Sequence, residues 1–364
     1  KNLTINAENS GTLGRLILGL LINSSKPIKL IGDNSLSKRD FKRIADPLTK
    51  FGAKFSLKEN KKLPMIISGS KNPRPIKYFE TRGSAQCKSS VIFAGLRTNG
   101  ITNINAKKSR NHTELLCKYL KIPLSVTKKK NLDIIKVRKA NKILPFNYKI
   151  PSDISSSAFF MVLTTLTKDS KLIIKNVNIN PSRIGIITIL KKMGIKITFK
   201  NKKIYKGEKI ADIFVKSSKI LKPINCPSSL NSSAIDELLL IFLVAGTKVK
   251  GISKFNQLGE LNKKESPRLN IAIKFLRMIG IKVLRNKDNI KIYGNPKIDL
   301  NGNYQIKNFL KDHRIFMMSC VAALTLGGNW KINDKDSINT SFPKFLNILK
   351  NLGAKINWKK EKIL

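Results

Sequence analysis

One phrase recurs along this chain and constrains what it can fold into. "LTKFGAKFSL" (48–57), "LKKMGIKITF" (190–199), "LRMIGIKVLR" (276–285) and "LKNLGAKINW" (349–358) each read as the end of an amphipathic helix, a glycine, then a strand. Gly52, Gly194, Gly280 and Gly353 stand where a helix stops on one left-handed residue, a conformation that glycine adopts freely. "YLKIPLSV" (119–126) is a weaker copy that lacks the glycine. A second phrase alternates with the first, a small polar cluster that opens a strongly apolar helix. It occurs as "NSGTLGRLILGLL" (9–21), "GSAQCKSSVIFAGL" (83–96), "SDISSSAFFMVLTTL" (152–166), "SSAIDELLLIFLVAG" (232–246) and "DHRIFMMSCVAALTLGG" (312–328). The starts lie roughly 70–80 residues apart, too far for a solenoid repeat and right for a small α/β module.

Short β-like runs fill the gaps, such as "KLIIKNV" (171–177) and "GNWKIND" (328–334). After the glycine phrase comes a strand, a polar turn and another strand, as in "IKVLRNKDNIKIYG" (281–294). The unit therefore reads β-α-β-α-β-β, and about five copies are visible. Three copies to a domain give an α/β protein of two similar lobes, residues 1–150 and 151–364, the first short by one module. The apolar helices carry little charge around their circumference, which predicts burial in the middle of each lobe. Their starts are rich in Ser, Thr, Asn and Gly. Several such helix N-termini at one face sum their dipoles and leave N–H groups for an anion. The expectation is a cleft between the lobes, built for anionic ligands.

Composition removes other classes. The 364 residues are enough for two cores. No apolar run reaches the roughly 18 residues of a membrane-spanning helix; "LLLIFLVAG" (238–246) is about half that. Cys87, Cys117, Cys226 and Cys320 form no C-x-x-C pair, which argues against a zinc site or disulfide framework and for a reducing cytoplasm. With only His112 and His313 present, a histidine-rich metal site is not expected. The net charge of +49 invites a nucleic-acid reading. The lysines, however, are spread over the whole length, and no zinc-finger, RNA-recognition or arginine-rich pattern occurs.

The motifs resemble a known family, the 3-phosphoshikimate 1-carboxyvinyltransferases, or EPSP synthases. "NSGTLGR" (9–15), "GDNSLSKRD" (32–40), "SAQCKS" (84–89), "SRNHTE" (109–114), "IDE" (235–237), "KKESPRL" (263–269), "DHR" (312–314) and "TSFP" (340–343) stand in the family's order. Several are similar to the subgroup often called class II, which includes glyphosate-tolerant members. The resemblance implies a two-lobed enolpyruvyltransferase-like fold of six such modules. The family's Lys-Ser-x-Ser-x-Arg motif lies in the first module and is not found here, so a chain starting at Lys1 is expected to be a fragment, inactive as it stands.

The resemblance also implies the chemistry. The enolpyruvyl group of phosphoenolpyruvate moves to the 5-hydroxyl of shikimate 3-phosphate and phosphate is released, with no metal or cofactor. Addition then elimination needs two carboxylates for proton transfer and many cations around the substrates' phosphates and carboxylates. Glu265 matches the carboxylate assigned to the methylene carbon, and Asp236 the one beside the 5-hydroxyl. Arg39, Arg268 and Arg314 match arginines that grip phosphoenolpyruvate, whose planar forks suit paired oxygens. Gly11 matches the glycine packed against that phosphate region. Ser84, Ala85, Ser109, Arg110 and Lys264, with Asp236, match the shikimate 3-phosphate side, and Gln86 reaches both substrates. Read from residues alone, Asp236 and Glu265 are equally helix-start carboxylates, and Asn9 and Thr12 helix caps. Ser266 is expected to cap the following helix, with Pro267 in its first position.

The chain departs from the family pattern at Pro267 in place of Asp, at Asp40 in place of Pro, and at Glu8 where Gly is common. Thr340 stands where many members, though not class II, have a lysine. Tolerant class II members carry Ala at the place of Gly11, which implies a glyphosate-sensitive full-length enzyme here. The sister enzyme, UDP-N-acetylglucosamine enolpyruvyltransferase, uses a loop cysteine near the position of Gly32 to Ser35, and none lies there. RNA 3′-phosphate cyclase has related modules, but its histidine motif is not recognisable. A lysine-rich RNA-binding protein is the rival of another class. The expected protein is a cytoplasmic monomer acting on two small molecules, without nucleic-acid or membrane partners.

Overall fold

The computed structural model describes residues 3–219 and 221–357. Trp358, the last residue of the final glycine phrase, lies outside them. The chain divides into two compact units. One holds the residues up to 149 together with 204–208; the other holds 150–203 and the residues from 209 on. Each has its own apolar core.

The first unit contains two modules. In the first, β1 (Leu3–Asn6), α1 (Gly11–Leu20) and β2 (Ile28–Ile31) lead through the short α2 (Asn34–Ser37) to α3 (Lys42–Thr49), β3 (Lys54–Lys58) and β4 (Lys62–Ser68). In the second come β5 (Lys77–Glu80), α4 (Ala85–Gly95), β6 (Ile101–Lys107), α5 (His112–Tyr119), β7 (Leu124–Lys128) and β8 (Leu132–Arg138). The sheets share one order, β1-β2-β4-β3 and β5-β6-β8-β7. The first pair is parallel and the others antiparallel. A parallel pair needs a crossover, which the apolar helix supplies; the last two strands close as a hairpin.

The second unit repeats this three times with losses. Its first module has α6 (Ile154–Leu166), β9 (Lys171–Asn178), α7 (Gly185–Lys192), β10 (Lys196–Tyr205) and β11 (Glu208–Lys216). Its opening strand is reduced to a parallel bridge, Ser152 to Val177. The next has α8 (Asn231–Ala234), α9 (Leu238–Thr247), β12 (Gly251–Phe255), α10 (Arg268–Met278), β13 (Val283–Asn286) and β14 (Asn289–Gly294). Bridges Leu221–Val249 and Asn225–Lys254 stand for its first strand. The last has β15 (Leu300–Ile306), α11 (His313–Thr325), the parallel strand β16 (Gly327–Ile332) and α12 (Phe345–Asn351). The strand expected after Gly353 is not formed by residues 354–357.

Three of the four glycine phrases end their helices in one way. Gly194, Gly280 and Gly353 have φ of +100°, +82° and +97°. The next amide reaches back to the carbonyl five residues earlier, Ile195 to Leu190 at 3.0 Å, Ile281 to Leu276 at 2.9 Å and Ala354 to Leu349 at 3.0 Å. That is the Schellman closure. In the copy without glycine, Lys121 takes φ +53° and Ile122 N–H still bonds Cys117 O at 2.9 Å. An exposed lysine there adopts a conformation that glycine takes more cheaply.

The central helices are buried unevenly. Every residue of α9 is buried, and most of α4, α6 and α11. The all-round burial expected for α1 fails, because Leu13 and Leu20 are exposed on its outer side. On its inner side Gly19 lets α1 cross α4 closely. A Cβ there would lie 2.1 Å from the Ser90 carbonyl oxygen, far inside contact distance. The expected helix from Ser232 is also broken. α8 and α9 meet at 117°, leaving Asp236 in the break between them.

Candidate active site

In the first unit the α1–α4 crossing brings two motifs together. Arg15 Nη1 donates to Gln86 Oε1 at 2.5 Å, and Gln86 Nε2 donates to Thr12 Oγ1 at 3.0 Å. The Arg15 guanidinium also lies over the Phe41 ring, 5.6 Å from its centroid. Burial, then the neighbouring Arg43 and Arg39, lower the Arg15 pKa to about 10. Crowded guanidinium groups of this kind favour an anion. Gly11 sits among them: a Cβ there would lie 3.2 Å from Arg39 Nη1 and 3.5 Å from Arg15 Nη1. The helix cap is Ser10, which accepts from Leu13 N–H at 3.1 Å, so the alternative caps Asn9 and Thr12 are corrected. Asn9 instead donates to Asp33 Oδ2 at 2.6 Å, and Thr12 faces Gln86.

Ser84 is the cap of α4, its Oγ accepting from Cys87 N–H at 3.2 Å. Buried Glu80 accepts from the Arg82 and Ser84 amides and fixes the turn before it. Ser84, Ala85 and Gln86 are thereby half-buried at one helix mouth. Ser109 and Arg110 lie just before α5, which is tied to α4 by Ser89 Oγ and Thr113 Oγ1 at 2.7 Å. Ser109 Oγ is buried and makes no hydrogen bond among the described residues.

The second unit gathers the other predicted residues. Arg268 opens α10 and is 1 % exposed. Its Nη2 lies 2.6 Å from Glu265 Oε2, its Nε 2.8 Å from Asp312 Oδ2, and its Nη1 3.5 Å from Asp236 Oδ1. Lys264 Nζ lies 3.3 Å from the same Asp236 oxygen. Arg314, in the first turn of α11, donates from Nη1 to the Asp236 carbonyl oxygen at 3.0 Å. Asp236, Lys264, Glu265, Arg268 and Arg314 thus form one network. Arg39, Gln86, Ser84, Ala85, Ser109, Arg110 and Gly11 belong to the other unit.

The expected cap at Ser266 is corrected. Ser266 Oγ donates to Asp312 Oδ2 at 2.7 Å, α10 has no side-chain cap, and Pro267 sits one place ahead of its first turn. Asp312 draws Ser266 away, because a fully buried carboxylate needs every donor it can find. Asp312 also caps α11 through Arg314 N–H at 2.9 Å. Burial alone would raise its pKa; the charge and hydrogen bonds of Arg268 and Ser266 overcome that and lower it.

Sequence reading gave no role to Asp312, Glu237, Ser155 or Arg183. Ser155 Oγ donates to Glu237 Oε1 and receives Arg183 Nη2 at 2.7 Å. Glu237 is 1 % exposed, and burial raises its pKa, opposed by Arg314 and reinforced by Asp236. The available signal was a charged residue at the start of an almost wholly apolar helix, which must find a partner. Ser155, His313, Arg314 and Ser341 line a polar recess of about 80 Å³. Burial, then Arg314, lowers the His313 pKa to about 4, so its imidazole is neutral near pH 7. Among the described residues no group of three or more His, Cys, Asp or Glu is set to hold a metal. No single described helix is long and apolar enough to cross a membrane.

The family model of EPSP synthase (3-phosphoshikimate 1-carboxyvinyltransferase) matches residues 1–360. The chain belongs to the EPSP synthase family. The 3-phosphoshikimate 1-carboxyvinyltransferase of Zymomonas mobilis is 38 % identical over 349 residues, covering 95 % of this chain and 77 % of that one. That of Ruthia magnifica is 39 % identical over 354 residues, covering 96 % and 78 %. The EPSP synthase structure of Acinetobacter baumannii superposes with a TM-score of 0.85 at 34 % identity, covering 98 % of this chain and 80 % of that one. The enolpyruvyl transferase NikO of Streptomyces tendae shares the fold at 13 % identity, with a TM-score of 0.70 and coverage of 94 % and 76 %. The family is one of transferases, and the repeated modules are its fold.

Proposed function

We propose that the two residue networks serve the family reaction, in which the enolpyruvyl group of phosphoenolpyruvate passes to the 5-hydroxyl of shikimate 3-phosphate. Family membership supports this over the sister transferase and the RNA-binding reading. One observation carries the assignment of roles. Two partly exposed carboxylates, Asp236 and Glu265, are held by the same buried guanidinium, Arg268.

Asp236 takes the proton of the 5-hydroxyl as its oxygen attacks carbon 2 of phosphoenolpyruvate. A proton reaches the methylene carbon in the same addition, delivered from Glu265. In the elimination the bond from carbon 2 to the phosphate oxygen breaks, phosphate leaves, and the methyl carbon returns a proton to Glu265. Asp236 gives the hydroxyl proton to the departing phosphate, and Glu265 ends the cycle protonated, as it began. In the second unit Arg268 and Arg314 pair with anionic groups of phosphoenolpyruvate and Lys264 with those of shikimate 3-phosphate; in the first, Arg39 and Gln86, beside Gly11, serve phosphoenolpyruvate. Ser84, Ala85, Ser109 and Arg110 hold the shikimate phosphate at the mouth of α4. The same reading makes the enzyme a monomer without nucleic-acid or membrane partners. It works in the cytoplasm, whose reducing state fits four buried free thiols.

Phosphate release by the full-length protein tests the reading. It should require phosphoenolpyruvate and shikimate 3-phosphate together. Release with UDP-N-acetylglucosamine in place of shikimate 3-phosphate would select the sister reaction. Salt-sensitive RNA binding without release would select the other rival.

A further inference from the structure

Lys88 is 0 % exposed in the middle of α4, although lysine is among the residues least often buried. Its Nζ lies 2.6 Å from Glu114 Oε1 on α5 and donates to the backbone carbonyl of Arg110 at 3.0 Å. Glu114 is itself 5 % exposed. One residue along, Ser89 Oγ meets Thr113 Oγ1 at 2.7 Å. Two polar ties therefore span from α4 to the segment 109–114. The Lys88–Glu114 pair is buried and the Ser89–Thr113 contact half-buried.

An apolar pair of similar volume in place of such an ion pair is often neutral or stabilising. Stability alone therefore does not account for a buried lysine here. What an apolar pair cannot supply is a donor for the Arg110 carbonyl. That bond fixes the main chain of the residue whose guanidinium is read above as a phosphate ligand. A main-chain anchor sets where a long side chain starts and how much order it must lose on binding.

We infer that Lys88, neutralised by Glu114, is a positioning residue: through the Arg110 carbonyl it holds Ser109 and Arg110 ready for the phosphate of shikimate 3-phosphate. Lys88 itself does not touch substrate. The inference rests on the reading of Ser109 and Arg110 as ligands and adds the device that presents them.

Calorimetric binding of shikimate 3-phosphate to the full-length protein tests it without depending on turnover. Lys88→Met with Glu114→Leu removes the anchor and its counter-charge together, so no buried charge is left alone. Its affinity for shikimate 3-phosphate should fall about tenfold, while KM for phosphoenolpyruvate changes less than about twofold. Ser89→Ala with Thr113→Val loosens the second tie with near-isosteric apolar groups and should weaken binding about two- to threefold. The second pair stands as the test on its own if the first does not fold. Unchanged affinity in a folded variant of either pair would overturn the inference and leave the proposed function intact. Absence of shikimate 3-phosphate binding to the wild-type protein would instead remove the reading of this half-site, and the inference with it. A loss that falls equally on both substrates would show a general structural role and also overturn it.

Discussion

Glu265 Oε2 lies 2.6 Å from Arg268 Nη2, and the two side chains come from the end of a loop and the first turn of α10. The same guanidinium reaches Asp312 and Asp236, so one buried cation organises three carboxylates on three segments. Two of these face chemistry in the proposed mechanism. The third, Asp312, is fully buried and holds the cation in place.

Asp312→Asn should therefore cost stability before it costs chemistry. Losing one partner of a buried pair typically costs about 3 kcal/mol. The wild-type Asp312 carboxyl titrates below its ordinary value, against the upward push of burial, because of Arg268 and Ser266. Its stabilisation is present above the unfolded carboxyl value of about 3.9 and is lost as pH falls through the depressed folded value. Thermal melts across the acid range should show wild type and variant converging only at the lowest pH.

Glu237 should behave in the opposite sense. Burial raises its pKa, so its contribution is fully present below the unfolded value and is lost as pH rises through the folded one. Glu237→Gln keeps the shape and the contact with Ser155 but cannot ionise. The variant's Tm relative to wild type should rise as pH climbs above the unfolded carboxyl value of about 4.3. A constant difference above that value would show that the Glu237 charge is not opposed by its surroundings.

Glu8 adopts φ +47° on an exposed turn, where its amide bonds Asn6 Oδ1 at 2.9 Å and its carbonyl accepts from Asp33 N–H at 2.8 Å. A side chain in the left-handed region costs about 1 kcal/mol relative to glycine. Glu8→Gly should raise stability by about that amount, measured as a higher Tm or denaturant midpoint.

Gly11→Ala places a methyl carbon 3.2 Å from Arg39 Nη1 unless the guanidinium moves. The wild-type full-length enzyme should be glyphosate-sensitive. The variant should gain tolerance and lose about tenfold or less in affinity for phosphoenolpyruvate, as steady-state inhibition would report. Millimolar tolerance in the wild type would contradict this.

Period and punctuation made the modules legible. Gly194, Gly280 and Gly353 mark helix stops from sequence alone, because only glycine is cheap at such φ values. The lost glycine at Lys121 was still readable from its neighbours, since the Ile122 to Cys117 closure survives. The break between α8 and α9 was not readable. No proline or glycine marks it, and the apolar end of the run "SSAIDELLL" satisfies helix propensity. Motif order pointed to Asp236, Glu265, Arg268 and Arg314 as a group, whereas their supports stayed hidden. Ser266 looked like a cap because caps are local, and the competitor, Asp312, lies 46 residues away. Lys88 and Glu114 stand inside the motifs 84–89 and 109–114, but in a chain of 71 basic residues nothing in the sequence pairs them. Only burial separates them from the rest.

The most direct test is the rate of phosphate release by Glu265→Gln at saturating phosphoenolpyruvate and shikimate 3-phosphate. Removing a proton-transfer group should lower kcat by about 10²- to 10⁴-fold, with both KM values within a few-fold of wild type. A folded Glu265→Gln protein that releases phosphate within about threefold of the wild-type rate would contradict the assignment of proton transfer to this carboxylate.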